Sequence, residues 1–366
     1  MNDRQTTGAR PGALPALSRL LLRRRGCAAA LGVALAAPLA LPLAAARPAG
    51  AAQEAAWQQF RERFVTADGR VVDTGNGGVS HSEGQGWGML LAQAYDDRAT
   101  FRQLHQWTRS TLRRRDDALH AWRFRPGTAT PVDDPNNATD GDLYIAWALA
   151  RAGEAWADPA LTAAAAAIGR DILRLLTRSV QGQLWLLPGL VGFEDGRRLV
   201  LNPSYLVFPA FAALERVLPD PRWRQLRSDG LALLRQARFG RWGLPPDWLA
   251  IAQPESRLAP AEGWPPRFSF DAVRVPLLLA WAGQAREPAV LAALQFWTDP
   301  AHPAPPAWTD LTTNALADYP ASGGVRAIAA FVADAAAGRQ RPAQVRIETA
   351  DDYYSAALKM LVSVAA

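Results

Sequence analysis

The recurrence of apolar residues every three to four positions constrains this chain most. From residue 53 onward it predicts helices at roughly 53–64, 84–97, 99–113, 140–153, 158–178, 203–218, 221–238, 271–283, 287–298, 322–337 and 351–365. Pro, Gly, Asn and Asp punctuate the runs. Asp158-Pro159, Asn202-Pro203 and Asp220-Pro221 each put a capping acceptor before a proline, whose missing N–H does no harm at the first helical position. Strand patterns are few and short, at Val71–Asp73 and Leu184–Leu187. No flexible linker divides the chain, and no short-period repeat marks a solenoid. The expected fold is all-α: one domain of paired helices over residues 52–366, with small β excursions in its loops. Closing the hairpins into a double ring would gather the long loops 65–83, 114–139, 179–202, 239–270 and 299–321 at the ends of the scaffold, where function concentrates.

Residues 1–51 read differently. Arg23-Arg24-Arg25 precedes an Ala/Leu-rich run from Cys27 to about Ala46, and the small residues Ala49-Gly50-Ala51 fit a cleavage site. The run nears spanning length, but Pro38 and Pro42 interrupt it. A cleaved export signal is expected, with the mature protein periplasmic or secreted and not stably inserted in a membrane. The net charge of +6 belongs to this segment. It holds seven Arg and one acid, Asp3, leaving 33 basic and 33 acidic side chains in the rest. A nucleic-acid partner is therefore not expected. Cys27 is the single cysteine, so the mature chain has no thiol for a disulfide, a nucleophile or a thiolate metal site. The four histidines, His81, His105, His120 and His302, form no tight ligand pair, and neither a metal nor a cofactor is expected.

Fourteen Trp all lie after residue 51. Trp107, Trp147, Trp281 and Trp297 sit at helical spacing and read as core, while Trp87 is ambiguous. Trp122, Trp185, Trp242, Trp248, Trp264 and Trp308 fall in loops, where a broad ring can lie against the flat face of a sugar. Three acidic segments accompany them. Glu83 opens a helix within Ser80-His81-Ser82-Glu83-Gly84-Gln85-Gly86-Trp87-Gly88, where it is either a helix-end partner or a carboxyl projecting into a cleft. The glycines imply close approach by something bulky or by another backbone, and they match no phosphate loop. Asp140 and Asp142 open a second helix, one as a cap and the other free to point outward. Asp271 opens a third, three residues before Arg274, and the two could simply form an ion pair. In a helical ring these starts would face one end and bring distant carboxyls together. Two carboxyls across an aromatic cleft are what glycoside cleavage requires. One stays protonated to serve the leaving oxygen, and the other stays ionised to activate water. Burial would raise the first, and a cation such as Arg274 would keep the second low.

The blocks at 80–91, 138–156 and 269–276 resemble glycoside hydrolase family 8, the inverting endoglucanases with an (α/α)6 barrel. The middle block, Ala138-Thr139-Asp140-Gly141-Asp142 followed by Ile145-Ala146, Ala148-Leu149, Ala152 and Trp156, carries the family signature with one departure, Ala150. The resemblance runs from about Trp57 to the last helix. It implies Glu83 as proton donor, Asp271 as general base and Asp140 as the acid that holds the sugar at the cleavage point. Arg274 matches an Arg close to the base. Trp122, Trp185 and Tyr205 match aromatic substrate-binding positions, and Asp142 falls within the same binding motif. Phe270 stands where the family often has Tyr. The implied activity is hydrolysis of internal β-1,4-glucosidic bonds of a glucan chain. The compact length and the leader resemble the periplasmic cellulase that accompanies bacterial cellulose synthase, which makes that complex a candidate partner. The alternatives are a non-catalytic glucan-binding subunit, or the same chemistry on xylan or chitosan.

Overall fold

The computed structural model describes residues 50–253, 256–340 and 345–366. Apart from Gly50 and Ala51, the expected leader lies outside the described residues. Eleven α-helices occur among the described residues: α1 (Ala51–Phe64), α2 (Ser82–Ala94), α3 (Arg98–Thr111), α4 (Thr139–Ala155), α5 (Pro159–Leu175), α6 (Phe208–Val217), α7 (Pro221–Gln236), α8 (Arg274–Trp281), α9 (Pro288–Trp297), α10 (Gly323–Ala336) and α11 (Tyr353–Ala365). Most agree with the apolar periodicity to within two or three residues. The capping reading also holds, since Asp158 accepts from Ala160 N and Asp220 from Arg222 N at the starts of α5 and α7.

Two helix starts depart from expectation. The run predicted from 203 begins as a single 3-10 turn, Pro203–Tyr205, and the α-helix starts only at Phe208. Pro209 explains the break, because its nitrogen cannot donate to an earlier carbonyl, which suits the first turn of a helix and not its interior. The helix predicted from Asp271 starts at Arg274, so Asp271 lies in the turn before it.

Helix contacts run from α2 to α4, α6, α8, α10 and α11 and return to α2. Helices α1, α3, α5, α7 and α9 pack against this circuit from outside. Burial follows this division only in part. Most residues of α2, α4, α8 and α11 are buried and α3 and α5 bury one stripe, but α10 of the circuit also buries only a stripe. The result is the expected double layer of paired helices.

Helices α2 and α4 meet closely because their facing positions are glycines. A Cβ on Gly86 would stand 2.6 Å from Tyr144 Cβ and 2.9 Å from Ile145 N. One on Gly141 would stand 2.1 Å from Ser82 Oγ and 2.8 Å from Glu83 N. The glycine cluster thus serves backbone approach, and it sets the starts of α2 and α4 against each other.

The strands are short and antiparallel: β1 (Ser80–His81) with β2 (Arg123–Phe124), β3 (Thr177–Val180) with β4 (Gln183–Leu186), and a three-stranded sheet of β5 (Arg198–Leu201), β6 (Leu249–Ala252) and β7 (Arg257–Pro260). The last pair is β8 (Arg267–Phe268) with β9 (Thr309–Asp310). Leu184–Leu187 is met by β4, while Val71 and Asp73 make only isolated bridges. The three-stranded sheet joins two loops about fifty residues apart in sequence, which local patterning cannot reveal.

Candidate active site

Glu83 and Asp140 are the second residues of α2 and α4, so the glycine contact between these helices sets the two carboxyls side by side. Around them the loops are tied down. Gln85 in α2 accepts from Val71 N at 2.6 Å and donates to Thr108 Oγ1 at 2.9 Å. Thr139 donates its hydroxyl to Leu187 O at 2.6 Å and its N–H to Pro188 O at 2.8 Å, which fixes the start of α4 against that loop.

Arg274, the first residue of α8, is the hub. Its side chain is 4% exposed and lies over the Trp87 ring at 5.6 Å. Nη1 donates to Glu83 Oε1. Nη2 donates to Asp271 Oδ1 at 2.8 Å and to Ser204 Oγ at 2.8 Å, and stands 3.6 Å from Asp140 Oδ2. Ser204 is itself set by Asn202, whose Oδ1 accepts its N–H and hydroxyl. Glu83 and Asp271 thus flank one guanidinium from residues 188 apart in the chain. Both still open outward, with side chains 20% and 30% exposed, while Asp140 is 3% exposed.

Three carboxyls, one buried and two partly so, share the Arg274 guanidinium, and their proton affinities follow from that imbalance. Burial raises Glu83 well above the usual carboxylate range. Arg274 opposes this, and the Asp140 charge and hydrogen bond add to it. Burial also raises Asp140 and Asp271, which Arg274 partly offsets. The Glu83–Asp140 interaction raises Glu83 and lowers Asp140, as expected of a protonated Glu83 donating to an ionised Asp140. The sequence expectation for Asp271 needs correction. Arg274 does not hold it low, because burial outweighs the guanidinium and the nearby Asp140 charge adds to the rise.

The aromatic assignments separate. Tyr205 lies beside Asp140, and its hydrogen bond lowers that carboxyl. It also meets Trp248 edge-on at 6.3 Å. Trp248 stacks between Phe193 at 5.7 Å and Trp264 at 5.0 Å, and all three rings are partly exposed. Trp122 is partly exposed as well, stacks with His81 at 5.9 Å and donates Nε1 to Asp134 at 2.8 Å. Trp122 and His81 line a hollow of about 490 Å³ beside the start of α2. Burial, aided by Arg123, lowers His81 to about 4, so its ring is neutral at ordinary pH.

Two substrate-binding assignments do not survive the structure. Trp185 is 4% exposed, packed into the core from β4. Asp142 is fully buried, accepting from His120 N and Nδ1 at 2.9 Å and from Asn137 Nδ2 at 3.0 Å. Its role is to brace the 120 and 137 loops against α4, since neither oxygen faces the cleft. Trp87 is 0% exposed, which settles it as core.

Asp247, Asn202 and Ser204 support the site without a periodic signature of their own. Asp247 lies in the Pro-Asp-Trp stretch 246–248, where only the neighbouring Trp draws notice in sequence. Burial, followed by the Asp271 charge, pushes Asp247 up to about 6.

A ring of paired helices holding two far-separated carboxyls across one guanidinium, with aromatic rings beside them, defines an acid–base hydrolase of the polysaccharide-cleaving kind. The chain belongs to the glycosyl hydrolases family 8, whose sequence profile matches residues 31–366. It is 43% identical to an endoglucanase of Cellulomonas uda over 277 residues, 75% of this chain and 76% of that one. Among solved structures it is similar to the endo-β-1,4-glucanase CMCax from Acetobacter xylinum, with TM-score 0.80 and 44% identity over 86% of this chain and 97% of that one. It is also similar to endoglucanase Cel10 from Klebsiella pneumoniae, with TM-score 0.80 and 42% identity over 85% and 98% of the two chains.

Proposed function

We propose that this protein is an endo-β-1,4-glucanase that cleaves internal bonds of a β-1,4-glucan with inversion. Glu83 is the general acid, and its proton passes to the glycosidic oxygen as the bond to the anomeric carbon breaks. Asp271 is the general base, accepting a proton from a water whose oxygen bonds that carbon from the opposite face. Asp140 holds the sugar ring at the point of cleavage and accepts from protonated Glu83. The Phe193–Trp248–Trp264 stack and Tyr205 supply aromatic faces for flanking sugars.

One observation carries the reading: Arg274 contacts Glu83 through Nη1 and Asp271 through Nη2, while both carboxyls open outward. The nearest carboxyl oxygens are then no farther apart than the two contacts plus the width of one guanidinium. Inverting glycosidases place their carboxyls roughly 6.5–9.5 Å apart, leaving room for one water. Glu83, the more strongly raised of the two, is the natural proton donor.

Reducing-sugar release from carboxymethylcellulose by wild type, Glu83→Gln and Asp271→Asn tests the assignment. Near-complete loss in both variants, with glucan binding retained, is expected. Equal activity in all three would overturn it and favour a binding subunit. The same assay on xylan and chitosan decides the substrate class, with preference for β-1,4-glucan expected.

The leader at 1–51 supports export to the periplasm, where the enzyme would trim glucan made by a cellulose synthase complex. No described helix is long and apolar enough to cross a membrane. Mass spectrometry of the protein from a periplasmic extract tests export, which requires a new N-terminus near residue 52. Co-purification with synthase subunits tests the association.

A further inference from the structure

Asp271 does not stand at a helix start, so something other than helix geometry must fix its aim. The turn from Ser269 to Val273 closes on itself through Val273 N and Ser269 O at 3.0 Å, and Tyr354 donates its hydroxyl to Phe270 O, but three of its N–H groups go to one buried side chain. Asp247 Oδ1 accepts from Ser269 N at 3.0 Å, from Asp271 N at 3.2 Å and from Ala272 N at 2.7 Å. Oδ2 accepts from the Ser269 hydroxyl at 2.5 Å. Asp247 is 8% exposed, and its own N–H donates to Arg267 O at 2.7 Å, which ties it to β8 immediately before the turn. All four side-chain bonds fall on residues 269, 271 and 272, so this carboxylate is spent on the segment that carries the base.

We propose that Asp247 is the positioning residue for the general base: it collects the backbone N–H groups around Asp271 on one oxygen and thereby sets where the Asp271 carboxyl meets the attacking water. The inference deepens the assignment of Asp271 as base and rests on it. Asp247 does not touch the substrate in this arrangement. It acts through Asp271, whose carboxyl is held by Arg274 at 2.8 Å with Asn202 beside it, and whose carbonyl accepts from Arg274 N at 3.0 Å. With the guanidinium holding the carboxyl and Asp247 holding the backbone, Asp271 is fixed at both ends. Losing the backbone tie leaves the side chain tethered but free to swing, and displacements on the order of 1 Å at a reacting group cost up to about 100-fold in rate.

The distribution of bonds over the two oxygens makes the test selective. In Asp247→Asn the amide Oδ1 keeps all three N–H contacts, and Nδ2 can donate to the Ser269 hydroxyl. In Asp247→Ala every side-chain contact is lost, and only the backbone bond to Arg267 O remains. The experiment measures kcat and KM on a soluble cello-oligosaccharide, the oligosaccharide Kd by calorimetry, and the fraction folded by thermal unfolding. For Asp247→Ala the expected result is kcat reduced about 10- to 100-fold per folded molecule, with KM and Kd within about two-fold of wild type. Asp247→Asn should restore kcat to within about three-fold, because the three-way N–H tie survives. Wild-type kcat in folded Asp247→Ala would overturn the proposal. So would parallel loss of kcat and binding, or an Asn variant as impaired as the Ala variant. If Asp247→Ala does not fold, the Asn variant together with Ser269→Ala decides. Both should retain kcat within about three-fold, and a ten-fold loss in the Asn variant alone would show that charge rather than the tie matters. Asp271→Asn, run in parallel, separates the two levels. If it stays active, the base assignment fails. If it is inactive while the Asp247 variants match wild type, only the positioning role fails.

Discussion

Replacing Arg274 by Met tests the electrostatic core of the site most directly. Among the described residues the guanidinium is the one cation touching Glu83, Asp140 and Asp271, and it lowers the proton affinity of all three. Its bond to Asp271 is 2.8 Å long. A hydrogen bond to a charged group is worth about 1.5–3 kcal/mol, and one pKa unit corresponds to about 1.4 kcal/mol. Losing it removes about 1.5–3 kcal/mol from the ionised form and should raise Asp271 further. The base must be ionised, so the acidic limb of kcat/KM moves to higher pH. The assay is kcat/KM on a soluble β-glucan across pH 4–9, with folding followed by unfolding midpoint. The fold should persist, because the orphaned carboxyls take up protons instead of remaining charged. Arg274→Lys should fall between, since an ammonium restores charge but not the two-pronged fork that reaches Glu83 and Asp271 together. Where turnover is too slow to follow, the chemical shift of ¹³C-labelled Asp carboxyls reports the ionisation directly. An acidic limb, or a carboxyl titration, unmoved in the Met variant would refute the claim that Arg274 governs the ionisation of the base.

Two further outcomes follow from the same geometry. Glu83 binds its proton more tightly folded than unfolded, so between its unfolded and folded pKa values the native state holds the extra proton and stability falls as pH rises through that window. Glu83→Gln removes this dependence, and its thermal midpoint at pH 8 should exceed that of wild type by about 2 °C, with a flatter pH profile; a lower midpoint would contradict the burial argument. Gly86→Ala places a methyl 2.6 Å from Tyr144 Cβ in a contact between two packed helices. It should destabilise the protein by about 1–3 kcal/mol in urea unfolding and lower activity by parting Glu83 from Asp140, and an unchanged unfolding midpoint would count against close packing as the reason for that glycine.

Much of this protein is legible residue by residue. Helix period and Asp-Pro caps are local properties of a few turns, which is why α5, α7, α9 and α10 appear in sequence nearly where they appear in space. The acids at 83, 140 and 271 stand out for a similar reason, since each sits among small or polar residues at the edge of an apolar run. What local pattern cannot carry is the identity of the neighbour across space. Whether Trp185 meets a sugar or the core depends on what covers β4, and both faces of β4 at Leu184, Trp185 and Leu186 are covered. Whether Asp142 or Asp140 faces the cleft depends on the rotation of α4 against α2. That rotation is set by the packing of Gly86 and Gly141, and it buries Asp142 on His120 and Asn137. The sharing of Arg274 among three carboxyls, and the hold of Asp247 on the turn of Asp271, join residues tens to hundreds of positions apart. Proton affinity belongs to that same level. A carboxyl's charge is governed by the burial and the cations around it, and both exist only once the ring of helices has closed.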